Sequence, residues 1–228
     1  MKEKATTTIS KPAAFLATVT SIATLLVLFS LHILSPEFGP SWRMVSEYAL
    51  GKYGFVLSLM FFLWGISSWA LFFAIRSHIS TRVGKIGLIF LILAGVGEFM
   101  GGMFDIKNNL HGLAALIGIP SLPIAAMLIS KNLGQMKVWA GSRKTLLWTA
   151  NLTWISLLLM ILAFPLMIIT FMNSGAPTPA EGTLLAPDAV LPHGVIGLVG
   201  WANRLLIVAY CIWVALVGWY AIKINNRK

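Results

Sequence analysis

Six apolar runs dominate this chain, at residues 13–34, 54–75, 86–103, 110–130, 145–172 and 198–222. A helix needs about 20 apolar residues to cross a hydrocarbon core, and each run approaches or exceeds that length. Backbone amides in lipid have no water to bond, so runs of this kind fold as helices that satisfy their own hydrogen bonds. The expected fold class is therefore all-α: a polytopic membrane protein, a six-transmembrane-helix bundle. The connections are too short for a separate soluble unit, so residues 1–228 read as a single integral membrane domain. Composition agrees, with 58% apolar residues, 11% charged residues and a mean hydropathy of +0.85. The first run lacks a small-residue cleavage site and reads as a retained span. Cys211, the one cysteine, falls in the last run, which excludes an intrachain disulfide and a multi-cysteine metal site.

Charge sets the expected orientation. Lys2, Lys4, Lys11, Arg76, Arg82, Lys85, Lys131, Lys137, Arg143, Lys144, Lys223, Arg227 and Lys228 are 13 of the 17 basic residues. All lie at the two ends of the chain or in the second and fourth connections, which share one side of a six-span protein. The positive-inside rule then places both termini in the cytoplasm. The net charge of +10 is thus a matter of topology and contact with membrane lipids, and nucleic acid is not an expected partner.

Glycine and proline punctuate the spans. Gly65, Ser67 and Ser68 in the second run, and Gly97 and Gly101 at GxxxG spacing in the third, read as points of close helix approach. Pro120, Pro123 and Pro165 predict local kinks. The connection 173–194 is the longest, and it reads either as a cap over the outer helix ends or as a mobile loop. His78, in a cytoplasmic connection, reads as a solvated residue.

Ionisable groups in the third run need a reason. The stretch "GVGEFMGGMFDIKNNLHG", residues 95–112, holds Glu98, Asp105 and His111 in the outer half of the membrane or at its edge. Glu98 and Asp105 share a helix face if the helix continues between them. Arg204 enters from the same side in the last run, where an arginine costs roughly 2.5–3.5 kcal/mol at the membrane centre unless paired or snorkelled. Its expected partner is Glu98 or Asp105. Ser46, Glu47 and Tyr48 add hydroxyl and carboxylate groups from the first outer connection. A purely structural alternative stands beside this reading: Arg204 and Glu98 form a packing ion pair, and Asp105 with Asn108 caps the turn into the fourth span.

The order Ser46-Glu47-Tyr48-Ala49-Leu50-Gly51, then Phe62 and Gly65, then Gly95, Gly102, Phe104 and Asp105, then His111 with Ala115, and finally Arg204, resembles the membrane family catalogued as domain of unknown function 998. The resemblance runs from the first span through the sixth. It implies a six-helix integral protein of the bacterial or archaeal cytoplasmic membrane, with a polar cluster near one face. It supplies no reaction.

Two classes of function fit these residues. In the first, the chain is an enzyme or binding protein for a lipid-linked, anionic or amphipathic ligand at the outer leaflet. His111 would then be a general acid or base, Asp105 or Glu98 its orienting group, and Arg204, Ser46 and Tyr48 the ligand-binding groups. Ser46 sits in no nucleophile motif. A metal-assisted variant would use Glu98, Asp105, His111 and His193, but no HExxH-like spacing supports it, so no metal is assigned. In the second class, the chain is a small-solute or proton-coupled transporter, against which stands the near absence of ionisable residues in the cytoplasmic halves of the spans. A haem protein using His32, His111 and His193 is a further alternative, and the sequence identifies no cofactor and no oligomeric state.

Overall fold

The computed structural model describes residues 9–177 and 184–226. Six long helices account for the fold: α1 (Lys11–Leu34), α2 (Gly54–Ile75), α3 (Arg82–Met103), α4 (Leu110–Gly134), α5 (Arg143–Asn173) and α6 (Val199–Asn225). All six are long and apolar enough to cross a membrane. Their ends fall within a few residues of those read from hydropathy. Short 3-10 turns at Val45–Leu50, Arg76–His78 and Lys137–Ser142 fill three of the connections.

Each helix packs on its neighbours in the chain, and α6 closes the ring against α1 while also touching α2 and α4. As a result α6 is the most enclosed helix, and α5 the least. We call the end that carries the α1–α2, α3–α4 and α5–α6 connections the far end, and the opposite end the near end.

The side chains sort as lipid solvent demands. On α1, Ala14, Ala17, Ser21, Thr24 and Leu28 turn inward, while Phe15, Ile22, Leu26, Phe29 and Ile33 are exposed. Small residues inside let backbones approach, and large apolar residues outside meet acyl chains. The closest approach joins α3 to α4. A Cβ on Gly97 would lie 2.3 Å from the Gly118 amide nitrogen, so the GxxxG glycine is needed where the two backbones touch. Gly65 likewise admits the α3 backbone, with the Gly95 carbonyl 2.9 Å from where its Cβ would stand. Ser67 instead bonds back to the Trp64 carbonyl within its own helix.

The prolines lie inside continuous helices, Pro120 and Pro123 in α4 and Pro165 in α5. Pro123 has no N–H to offer the carbonyl of Ile119, four residues earlier. Tyr210 of α6 takes that place, its hydroxyl donating to the Ile119 carbonyl at 2.6 Å. A defect in one helix thus becomes a point of attachment for another.

One near-end expectation is overturned. His78 is buried, 3% exposed, and its Nδ1 lies 3.3 Å from the Trp139 indole nitrogen. The connections at this end fold inward over the bundle, and a histidine with a donor beside it is cheap to bury. Among the residues used to infer topology, Lys2, Lys4, Arg227 and Lys228 lie outside the described residues, as does the 178–183 part of the long connection.

Candidate functional site

The far end is organised by Arg204, which is 4% exposed. It stands about 8 Å into α6, and side chains on a helix lean toward its N-terminus, so the guanidinium reaches back toward the membrane edge. There it meets the α1–α2 connection. One guanidinium nitrogen donates to the carbonyls of Arg43 at 2.7 Å, Gly200 at 3.0 Å and Pro40 at 3.2 Å. The other donates to the Tyr48 hydroxyl at 3.0 Å. Nε donates to His32 Nε2 at 2.7 Å.

His32 is held from both sides. Its Nδ1 lies 2.9 Å from the Leu28 carbonyl, which can only accept, so Nδ1 carries the proton and Nε2 is the acceptor that Arg204 requires. The ring is therefore neutral, with its tautomer fixed. Tyr48 is fully buried and packs edge-on against both His32 and Phe38.

The expected pairing of Arg204 with Glu98 or Asp105 does not occur. The reason lies in the irregular chain at 35–44, where the carbonyls of Pro40 and Arg43 are met by Arg204. A guanidinium offers N–H groups from three nitrogens in one plane, and three carbonyls, a phenol and an imidazole accept from all three nitrogens. The loop repays α6 in kind: the Ser41 carbonyl accepts from the Gly200 and Trp201 amides, which begin the helix and lack partners within it. Gly200 is required there, because a Cβ would lie 2.5 Å from the Pro40 carbonyl oxygen. Asn203 pins the same loop one residue away, its Oδ1 accepting from the Val45 amide at 2.9 Å.

Arg43 is the second buried arginine, 1% exposed. Its Nε lies 3.2 Å from Glu47 Oε1, and its guanidinium stacks over Phe38 and Trp42. It also donates to the Leu185 carbonyl, tying the long α5–α6 connection to the first one. Glu47 accepts from the Met44 amide through Oε2 at 2.6 Å. Burial pushes the Glu47 carboxyl above its ordinary value, against the opposing pull of Arg43 and of that amide.

Beneath this clamped loop lies a cavity bounded by α2, α3, α4 and α6. It offers about 80 Å³ to the centre of a water-sized sphere. Met44, Val45, Ser46 and His111 stand at the far end of it, and Trp64, Ile119 and Tyr210 reach furthest toward the membrane middle. Glu98 lies on its wall, about 8 Å from the end of α3. Glu98 Oε2 is 2.6 Å from the Ser68 hydroxyl, while Oε1 is buried without a hydrogen-bond partner.

The structure therefore divides the polar residues of the sequence reading into two sets. Glu98, His111 and Ser46 share the cavity. Arg204 and Tyr48 belong to the clamp above it and are not in its lining. Asp105 joins neither set: α3 ends at Met103, Phe104 turns extended, and exposed Asp105 accepts from the Lys107 amide. Asn108 similarly accepts from the Leu110 amide, so both side chains cap the turn into α4. His111 is oriented by the Phe104 carbonyl, 2.8 Å from Nδ1, and not by a carboxylate. His193 is exposed and outside the cavity. Among the described residues, no three His, Cys, Asp or Glu side chains are grouped to hold a metal ion.

Sequence reasoning missed Arg43, His32 and Trp64 as members of these sets. Arg43 was given no role, and His32 entered only as a candidate haem ligand. A usable signal existed for His32: it lies two residues before the end of α1, where a ring can reach both its own helix and the following loop.

No curated protein and no solved structure matches the chain. The model of a protein family of unknown function, DUF998, matches residues 18–220, nearly the whole bundle, and the chain belongs to that family.

Proposed function

We propose that this membrane protein binds an amphipathic molecule in the far-end cavity, and that the far end faces the outside of the cell. The observation that carries the reading is Glu98: a buried carboxyl with one oxygen unpartnered, on the wall of a cavity whose other lining groups are mostly apolar. An unmet polar atom in such surroundings is costly unless something supplies its partner. His111, with Nδ1 committed to the Phe104 carbonyl, offers Nε2 at the mouth as an acceptor or as a general base. Ser46 offers a hydroxyl in the same lining. Arg204 and Tyr48 serve this site at one remove, by fixing the loop that carries Met44, Val45 and Ser46. No lysine or arginine stands in the lining, so an anionic end has no fixed cation to meet there. The orientation rests on Arg82, Lys85, Lys131, Lys137, Arg143, Lys144 and Lys223, all near-end residues.

Native mass spectrometry of the full chain released from lipid nanodiscs tests the proposal. A bound amphipath is expected on the wild type and is expected to be lost in Ala115→Phe, which fills the cavity without touching Glu98, and in Glu98→Leu. Retention of the same adduct by both folded variants would refute the site.

A further inference from the structure

The cavity contains a second unmet atom. Trp64 Nε1 is buried without a hydrogen-bond partner, as Glu98 Oε1 is, and both residues line the cavity. They are 5% and 4% exposed. An indole N–H only donates. The other polar groups at this depth are spent: Ser68 on Glu98, Tyr210 on the Ile119 carbonyl, and Asn203 on the Val45 amide and Met160 sulphur. Trp64 and Ser68 stand one turn apart on the same face of α2, and Ser68 holds Glu98. The free donor and the free carboxyl oxygen therefore belong to one cavity lining, with Trp64 on the far-end side of Ser68.

We infer that the polar end of the ligand is an uncharged group carrying both a donor and an acceptor, a hydroxyl or a primary amide, on a compact apolar body. This deepens the ligand-site reading above and rests on it. An ammonium group has no lone pair for Trp64. With Oε1 as the acceptor, a carboxylate or phosphate has no donor for Glu98, and it finds no lysine or arginine in the lining to meet its charge. A hydroxyl carries what each atom lacks, a lone pair for Trp64 and a proton for Glu98. The apolar body has a place as well: Gly97, Gly101, Ala114 and Gly118 make one wall of small residues, and Phe61 and Tyr210 supply aromatic surface from α2 and α6.

The experiment uses the full chain in phosphatidylcholine nanodiscs and a photoreactive diazirine analogue of 1-octanol, with adducts mapped by mass spectrometry. Unlabelled 1-octanol, octylammonium, octanoate and n-octane compete, each corrected for its partition into the bilayer. Adducts are expected on the lining segments of α2 to α4 and α6. 1-Octanol is expected to compete about tenfold better than the other three probes. Glu98→Gln keeps an acceptor oxygen and is expected to hold competition within about twofold, whereas Glu98→Leu and Trp64→Phe weaken it about five- to tenfold. The probe series on the wild type needs no variant, so poor folding of one cannot mask the result. Stronger competition by octylammonium, lost in Glu98→Gln, would overturn the uncharged-ligand inference while leaving a ligand site in place. Equal competition by all four probes would overturn it too. Lining segments free of adducts would instead remove the ligand site itself.

Discussion

Replacing Arg204 with lysine keeps the charge and removes the planar fork. Three guanidinium nitrogens hold five acceptors, on Pro40, Arg43, Gly200, Tyr48 and His32, and an ammonium has one nitrogen with three N–H groups, so at least two of these contacts are lost. Hydrogen bonds from a charged group are worth about 1.5–3 kcal/mol each, which gives a loss of roughly 3–6 kcal/mol. For a chain of this size about 1 kcal/mol moves the melting temperature by ~2–4 °C, so Arg204→Lys is expected to melt about 10 °C lower. Cys211 provides the assay: it is the single cysteine and is buried in α6, so a fluorogenic maleimide reacts as the bundle opens. Double-mutant cycles separate the partners. Arg204→Lys is expected to couple to Tyr48→Phe and to be additive with Glu98→Gln within about 0.5 kcal/mol. A shift below about 2 °C, or coupling to Glu98 in place of Tyr48, would refute the clamp.

Tyr210→Phe is expected to cost about 1–2 kcal/mol by leaving the Ile119 carbonyl bare, and adding Pro123→Ala is expected to recover most of it, because the restored amide serves that carbonyl. Gly97→Ala places a methyl against the Gly118 backbone and is expected to destabilise by about 3 kcal/mol or more, read by the same thiol assay. The raised Glu47 carboxyl stabilises the fold below its ordinary value of 4.5, and that contribution is lost as pH rises from there through the raised value. The melting temperature is therefore expected to fall across that window, and Glu47→Gln is expected to flatten the dependence. In a Cys211→Ser background, a cysteine at position 80 is expected to resist an impermeant reagent applied to intact cells, and labelling from outside would reverse the proposed orientation.

The spans were legible because hydropathy is a property of residues, and the lipid leaves apolar runs one way to fold. Gly97 was legible for a similar reason, since spacing alone announces a close approach. The partners of Arg204 were not. A sequence shows carboxylates, so Glu98 and Asp105 looked like the candidates, while backbone carbonyls at Pro40 and Arg43 carry no letter that marks them as acceptors. Asp105 was legible as a cap, with Asn108, of the turn into α4, whereas the face it was to share with Glu98 required α3 to continue past Met103. Trp64 was hidden among the many aromatic residues of α2, because its importance lies in a bond it does not make. Tyr210 was within reach: a proline inside a span frees a carbonyl four residues back, and a hydroxyl on another span is the natural thing to look for.

The clamp has a consequence for how the protein is made. Arg204 is separated from its loop and α1 partners by 156 to 172 residues of chain. At about 5–20 residues per second, the α1–α2 connection waits roughly 10–30 s after its own synthesis before α6 arrives. During that interval its carbonyls have only water and lipid headgroups to meet, and Glu98 has no roof above it. The last helix is thus the keystone of the arch, and a ribosome halted before α6 would release five helices whose polar interior has not yet been closed.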